Sequence, residues 1–210
     1  LANSGTYTAV DENNIDAVIF SKSDLTLNGS GSLTIQAEAG HGVVSKDDLV
    51  LASGVYNIQA ASHGLTGKDS VRIASGNYTI TSGKDGIHAE NKDDTDLGFV
   101  YLADGTFDIT AAGDGVSAGN WLQADGGVYT IQAGEGSENV QQTDAGWQFA
   151  PGHMEQSQDT SEDTVSMKGM KATGDLTITG GQYSVDSADD AIHSNADVAI
   201  NEGDRKSTRL

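Results

Sequence analysis

The sequence predicts an all-β fold, a single-stranded parallel β-helix, and three observations support that prediction. A turn motif returns at regular intervals, each copy contains three short segments that alternate apolar and polar residues, and a glycine precedes the third segment of every full copy. Alternation with a period of two indicates strands with one buried face, and no segment has a helical period. We therefore expect about eight coils of about 22 residues, with three short strands in each coil.

The turn motif sets the register of the coils. It begins at His41, His63, Asp85, Asp114, Lys168 and Asp190. The step from Asp85 to Asp114 is longer than the two steps before it, because residues 90–98 form an acidic insertion. A first, irregular copy starts near Asp16, and a weak copy lies near Glu138. A single copy cannot bury its apolar face, so the copies are expected to stack on one another.

The aromatic residues of the third segment fall into one column when the copies are stacked. They are Tyr56, Tyr78, Phe107, Tyr129 and Tyr183, with Leu33 in the first copy. Two residues further along each strand lies a column of isoleucine and valine, which includes Ile58 and Ile80. Residues two apart in a strand point to the same side, so both columns are predicted to face inward. We interpret the tyrosines as core residues and not as a sugar-binding surface.

The charge balance limits the partners of the chain. The net charge is −20, from 11 basic and 31 acidic residues, and there is no cysteine. Nucleic-acid binding depends on lysine and arginine contacts with phosphates, so we expect none. No apolar run approaches the roughly 18 residues of a membrane span, so we also expect no membrane insertion. Dense carboxylates favour a hard cation, above all calcium, or serve only to keep a repetitive β protein soluble.

The acidic insertion over residues 90–98 is the first candidate site. Asp93, Asp94 and Asp96 lie close together in the sequence and follow the turn residue Asp85. Calcium takes six to eight oxygen ligands, which carboxylates and backbone carbonyls of a short loop can supply. The sequence therefore predicts calcium at this loop, and a solvated acidic loop is the alternative.

Aromatic residues outside the core are the candidates for sugar contacts. The second insertion, residues 141–167, contains Trp147 and Phe149, which either stack on sugar rings or fix the loop to the β-helix. Trp121 takes the register position that Asp48 occupies in an earlier copy. We therefore predict that Trp121 lies on the outside of the β-helix and offers its ring to a sugar.

Two further groups of acidic residues are predicted on the outside. One is a column formed by the turn before each second strand, which includes Asp24, Asp48, Asp175 and Asp197. Like charges about 4.8 Å apart repel, so either interleaved lysines or calcium must compensate them. The other group is Asp186, Asp189, Asp190, His193 and Asn195. It could bind a metal, cap a corner through Asx turns or carry out acid–base chemistry.

Two segments resemble a known family. "GKDSVRIASGNYTITSGKDGIHAEN" and "KGMKATGDLTITGGQYSVDSADDAIHSN" are similar to bacterial secreted β-helix proteins described as carbohydrate-binding domain-containing, which are relatives of the pectate-lyase superfamily. The resemblance covers about residues 11–203. It implies a right-handed β-helix, export to the cell surface or medium, and calcium-dependent binding of plant cell-wall polysaccharides such as polygalacturonate (pectin) or cellulose, without catalysis. It also implies calcium at Asp85, Asp114, Asp189 and Asp190.

Enzymes of the same fold are an alternative with less support. The "GHG" turn at residues 40–42 precedes the pair Asp189–Asp190, whereas in polygalacturonases the pair comes first. Arg72, the only arginine before the C-terminal tail, has Lys68 and Asp69 as sequence neighbours, so no acidic cluster is expected beside it. A polysaccharide lyase or hydrolase, and a surface adhesion or structural module, remain alternatives to a non-catalytic binding domain.

These observations together predict one domain. We expect a monomeric, extracellular or cell-surface β-helix over residues 1–204, with a non-repeat tail over residues 205–210. The chain begins within a strand-like pattern, so we expect it to be a fragment of a longer protein. Calcium that bridges protein and uronate carboxylates would overcome the repulsion between a chain of charge −20 and polygalacturonate.

Overall fold

The computed structural model describes residues 1–5, 7, 15–139, 166–201 and 204–207. In that part, every regular element is a short β-strand, apart from one turn of 3₁₀ helix at Ser137–Asn139. In chain order the strands are β1 (Ala2–Asn3), β2 (Ala17–Ser21), β3 (Leu25–Leu27), β4 (Ser32–Ala37), β5 (His41–Ser45), β6 (Asp48–Leu51), β7 (Val55–Ala60), β8 (Leu65–Gly67), β9 (Ser70–Ile73), β10 (Asn77–Ser82), β11 (Ile87–Ala89), β12 (Phe99–Leu102), β13 (Thr106–Ala111), β14 (Val116–Ala118), β15 (Leu122–Ala124), β16 (Val128–Ala133), β17 (Met170–Ala172), β18 (Leu176–Ile178), β19 (Gln182–Ser187), β20 (Ile192–Ser194), β21 (Val198–Ile200) and β22 (Asp204–Ser207). The described residues contain no helix that is long and apolar enough to cross a membrane.

The strands form three parallel sheets that run along the axis of the β-helix. Sheet A contains β1, β4, β7, β10, β13, β16, β19 and β22; sheet B contains β2, β5, β8, β11, β14, β17 and β20; sheet C contains β3, β6, β9, β12, β15, β18 and β21. Every strand pairs in parallel with the equivalent strand of the next coil, and each coil contributes one strand to each sheet. The predicted right-handed parallel β-helix is confirmed.

The inward columns are those that the repeat predicts. Tyr78 pairs in register with Phe107, and Ile80 with Ile109, so identical positions stack from coil to coil. The five aromatic rings of the inner column are parallel, with centroids 4.6–5.0 Å apart, and are at most 5% exposed. Full burial of such a side chain contributes roughly 1.5–3 kcal/mol, so this column is a main source of stability.

The inner tyrosines also donate a hydrogen bond to a backbone carbonyl at the corner of their own coil. Tyr78 donates its hydroxyl hydrogen to the backbone carbonyl of Ser75 over 2.8 Å, and Tyr129 donates to that of Gly126 over 2.8 Å. Between these partners lies a glycine such as Gly76, whose φ of 131° is unfavourable for any other residue. A Cβ at Gly76 would lie 2.8 Å from the carbonyl oxygen of Gly54. The recurring glycine is therefore required by both the corner conformation and the neighbouring coil.

Two predictions about coil boundaries differ from the structure. The weak copy near Glu138 is not a coil, because β14 pairs directly with β17 and Glu138 lies in the 3₁₀ helix. The predicted tail over residues 205–210 begins inside the fold, since the backbone of residues 204–207 pairs with β19 as the eighth strand of sheet A. Strand pairing is made by backbone groups, so it continues here although the repeat sequence has ended.

Candidate functional site

The outer face of sheet C carries a pair of stacked aromatic rings. Phe99 is the first residue of β12, and Trp121 directly precedes β15; the pairing of Val100 with Leu122 places them one coil apart. Their ring centroids are 4.1 Å apart with an interplanar angle of 4°, and both residues are partly exposed. The predicted outward position of Trp121 is therefore confirmed. Phe99 was missed by the sequence analysis, although it precedes Trp121 by one full repeat.

A row of polar side chains lies beside these rings on the same face. Arg72 places its guanidinium carbon 6.0 Å from the centroid of Phe99, within the range of a cation–π contact. Tyr101 donates its hydroxyl hydrogen to Asp125 Oδ2 over 2.6 Å, and Gln123 donates to Asp125 Oδ1 over 2.8 Å. The bond to Asp125 raises the pKa of Tyr101, and the same bond lowers the pKa of Asp125. The face thus combines ring surface with oriented hydrogen-bonding groups.

The acidic corner at the start of β6 lies next to this face. The ligand oxygens of Asp24, Asp47 and Asp48 lie within 4.8 Å of one another. Loss of solvent and the nearby carboxylates of Asp24 and Asp69 raise the pKa of Asp47. Asp24 and Asp48 belong to the predicted outward aspartate column, whereas Asp47 was not predicted; the repulsion among these carboxylates is present in the structure.

Arg72 pairs with this corner, contrary to expectation. Its Nη2 contacts Asp48 Oδ2, and Ser70 donates its hydroxyl hydrogen to Asp48 Oδ1 over 2.6 Å. The prediction that no acidic cluster lies beside Arg72 was wrong. The prediction considered only residues close to Arg72 in the sequence, whereas Asp48 lies 24 positions away and becomes its neighbour across one coil.

The outer face of sheet B carries a ladder of imidazole rings and carboxylates. The ring of His63 stacks between those of His41 and His88, with centroid distances of 5.1 and 4.5 Å. Asp85 Oδ2 lies 3.5 Å from His63 Nδ1 and 2.9 Å from His88 Nδ1, and the three side chains form a cluster that could hold a metal ion. His88 was not among the predicted site residues, because it belongs to the strand and not to the repeated turn.

Burial and charge set the protonation of this ladder. Burial and the neighbouring His88 lower the pKa of His63 to about 3, so its ring is neutral at neutral pH. Burial acts to raise the pKa of Asp85, but contacts with His88 and His63 and the backbone N–H of Asp114 outweigh it and lower that pKa. Asp85 is therefore a carboxylate held against the neutral ring of His63, beside a groove of about 460 Å³.

Among the predicted calcium ligands, the structure brings Asp85 and Asp114 together. The backbone N–H of Asp114 donates to Asp85 Oδ1 over 2.9 Å. The Asp114 side chain is almost fully buried, with its Oδ1 accepting from the backbone N–H of Lys168 over 2.8 Å and its Oδ2 lying 3.3 Å from Lys171 Nζ. Lys171 therefore already compensates Asp114, and Asp85 already has contacts with two imidazole rings.

The other predicted calcium ligands lie apart from that pair. Asp189 contacts Lys168, and Asp190 Oδ2 lies 2.9 Å from His193 Nδ1. Asp93, Asp94 and Asp96 are exposed on the insertion, and no acidic cluster among the described residues includes them. In the part of the chain that the structure describes, the oxygen-only cluster is the corner at Asp24, Asp47 and Asp48. That corner fits a hard cation better than the predicted set does.

The side chain of Asn120, from the next coil, anchors the insertion between β11 and β12. Asn120 donates its amide hydrogens to the carbonyls of Asn91, Asp94 and Leu97 over 3.2, 2.7 and 2.8 Å. Within the loop, Asn91 Oδ1 accepts from the backbone N–H groups of Asp93 and Asp94. The backbone carbonyls of Asn91, Asp94 and Leu97 therefore point toward the Asn120 amide. Trp147 and Phe149, the remaining sugar-contact candidates, lie outside the described residues.

The fold and these outer faces define a solenoid β-helix with an exposed aromatic platform on one sheet. The chain belongs to the carbohydrate-binding domain-containing protein family, whose model matches residues 1–209. A solved structure with the same fold is a gadolinium derivative of the polysaccharide lyase-like protein from C. thermocellum, with 22% sequence identity and a TM-score of 0.56. The match covers 95% of this chain and 60% of that one, so the chain spans less than two thirds of its neighbour's length. No curated protein matches the chain.

Proposed function

We propose that this chain is a non-catalytic domain that binds polysaccharide on the outer face of sheet C. The observation that carries the proposal is the stacked pair of Phe99 and Trp121, two partly exposed rings on a face that the fold does not need to bury. Phe99 covers one face of the indole. The opposite face looks along the axis toward Asp175, which occupies the same position in the next coil. The free indole face can stack on a sugar ring, while the adjacent polar row can bond hydroxyl groups.

The proposed ligands are plant cell-wall polysaccharides, polygalacturonate (pectin) or cellulose. The net charge of −20 opposes binding of a uronate polymer. Calcium at the corner formed by Asp24, Asp47 and Asp48 would reduce their repulsion and leave coordination positions for uronate carboxylates. We propose this corner in place of the sequence-predicted ligand set because its three carboxylates lie together, and Asp48 also contacts Arg72. Because these polysaccharides lie outside cells, the proposal places the domain in the medium or on the cell surface.

The test is native affinity electrophoresis through gels that contain polygalacturonate, with calcium in one gel and a chelator in the other. We expect calcium-dependent retardation of the wild type and its loss in Trp121→Ala and in Asp47→Asn. Tyr7→Ala is the matched control, since it removes an exposed aromatic ring whose hydroxyl contacts Asn3 in sheet A. Retardation of Trp121→Ala equal to that of the wild type would overturn the location of the site. Retardation in chelator would overturn calcium bridging, and a cellulose pull-down completes the comparison.

A polysaccharide lyase is the second candidate, because Arg72 lies beside an acidic corner. Lyases need a group that removes a proton next to the uronate carboxylate. The Arg72 guanidinium is already engaged by the Asp48 carboxylate, which opposes that role. We therefore expect no unsaturated sugar products from polygalacturonate. Product absorbance that disappears in Arg72→Lys would establish the lyase instead.

A further inference from the structure

We propose that His63, Asp85 and His88 form a binding site for a divalent transition metal of the zinc class, separate from the sugar-binding face. The three side chains lie on the outer face of sheet B, and their ligand atoms are all within 4.8 Å of one another. Two imidazoles and one carboxylate are a ligand set that zinc, cobalt and nickel accept. Calcium prefers an all-oxygen shell and is poorly served by it.

The spacing of the ligand atoms matches a small tetrahedral ion. Metal–ligand bonds of about 2.0–2.2 Å in a tetrahedron hold the ligand atoms about 3.4 Å apart. Asp85 Oδ2 lies 3.5 Å from His63 Nδ1 and 2.9 Å from His88 Nδ1. These two distances differ from the tetrahedral value by about 0.1 and 0.5 Å, and the histidine ligand atoms lie within 4.8 Å of each other. His63 Nδ1 at present accepts the backbone N–H of Asp85 over 3.1 Å, and metal binding would exchange this bond.

The ligands are held in place before any metal binds. The backbone N–H of Asp114 fixes Asp85 Oδ1 over 2.9 Å, which leaves Oδ2 directed at the two histidines. The ring of His88 is stacked on that of His63, so neither ring can turn freely. His88 Nδ1 is buried, and its 2.9 Å contact with Asp85 Oδ2 is not aligned as a hydrogen bond. A metal ion could bind both atoms in place of this contact.

The surroundings indicate an exchangeable site with one open position. The cluster borders a groove of about 460 Å³ that Lys84, Lys92 and Lys171 also line. Lys171 is paired with Asp114, but the ammonium groups of the other two lysines repel a cation. They would also attract an anion, such as a carboxylate, to the open position of the metal. We therefore expect weaker binding than at a closed structural zinc site.

The chain contains its own control for this site. Asp190 and His193 repeat the pairing of Asp85 and His88, with Nδ1 and Oδ2 again 2.9 Å apart and the same spacing along the chain. His63 lies one coil before Asp85, and the residue one coil before Asp190 is Lys168, which contacts Asp189. A carboxylate–histidine pair without the second imidazole is thus present elsewhere on the same face. The proposal predicts that only the three-ligand set binds.

The experiment is a titration of the chelator-treated protein with Co²⁺, followed by visible absorbance, and with Zn²⁺, followed by calorimetry. We expect one saturable site in the wild type, unchanged by excess Ca²⁺. Binding should weaken at least about tenfold in His63→Ala, Asp85→Asn and His88→Ser. The last change introduces the residue that the next coil carries, Ser117, so it should fold. The control His193→Ser should bind as the wild type does.

Three results would overturn the proposal. They are the absence of a saturable Co²⁺ spectrum in the wild type, full binding by His88→Ser, and equal loss of binding in His193→Ser. Circular dichroism of each variant separates lost ligands from lost folding. Polygalacturonate retardation is measured in parallel with the same variants, so a failure here is distinct from a failure of the function proposed for sheet C.

Discussion

Two sets of stacked rings run along the same β-helix, one inside its wall and one outside. The inner column of Tyr56 to Tyr183 is almost completely buried, with centroids 4.6–5.0 Å apart. The outer pair, Phe99 and Trp121, stacks at 4.1 Å and stays partly exposed. The geometry is nearly the same because both sets follow the spacing of the coils. Their energetic roles differ because only the inner rings are removed from water.

The largest expected difference in stability comes from making the same substitution, phenylalanine to alanine, once in the inner column and once in the outer pair. Phe107→Ala should lower the free energy of unfolding by about 3–5 kcal/mol, because it leaves a cavity in the inner column. Phe99→Ala should lower it by about 1 kcal/mol, the worth of one exposed stack and one cation–π contact. Denaturant unfolding of both variants measures the difference. Equal losses would show that the outer pair is also structural.

The stacked histidine rings on the outer face of sheet B are a third set, and they differ from the inner and outer aromatic rings because they can be protonated. The pKa of His63 is about 3 in the folded protein and about 6.5 when unfolded. Between these values the unfolded state binds more protons, so stability should fall as pH falls. We expect a loss of about 1–2 kcal/mol between pH 7 and pH 5, measured in chelator. The lowered pKa of Asp85 adds a further loss only below its ordinary range.

The contribution of His63 to this pH dependence can be tested by substituting that residue. His63→Asn should flatten the fall in stability between pH 7 and pH 5. His41, whose pKa is also lowered by burial, should retain part of the fall in that variant. Equal slopes for the wild type and His63→Asn would contradict the assignment of this titration to His63.

The smallest expected effect on stability comes from removing one tyrosine hydroxyl inside the β-helix or one on its outer surface. Tyr129→Phe leaves the carbonyl of Gly126 without its partner inside the fold, at a cost of about 1 kcal/mol. Tyr101→Phe removes the bond to Asp125 on the outer face, where water can replace it, so stability should change by less than about 0.5 kcal/mol. Thermal unfolding distinguishes the two. A larger loss in Tyr101→Phe would mean that the outer face helps to hold the fold.

Most of the fold could be predicted from the sequence because a parallel β-helix repeats its own register. Alignment of the turn motifs, with residues 90–98 set aside as an insertion, places Tyr78 next to Phe107 and Trp121 on the outside, and the pairing confirms both. Phe99 could have been found in the same way, since it stands one repeat before Trp121. Its alternation with the buried Val100 marks it as outward.

The arrangement of the carboxylates was harder to predict. Columns show which residues lie one coil apart, but not which cation reaches which anion. Lys171 reaches Asp114 from a coil that follows the second insertion, and Arg72 reaches Asp48 from the adjacent column. The cluster of His63, Asp85 and His88 combines two columns and depends on ring orientation. Such contacts depend on side-chain rotamers, which periodicity does not encode.

The alternation of buried and outward residues within each strand separates substitutions that alter the core from substitutions that alter the surface. In β12, Val100 and Leu102 are buried while Phe99 and Tyr101 face outward, and every coil offers the same division. A substitution at an outward position therefore alters the surface without disturbing the stack that carries stability. Duplication of one coil would lengthen the inner column and copy the outer one, and the copy could then diverge. Ligand preference in this architecture can thus change one position at a time, along a surface whose length is set by the number of coils.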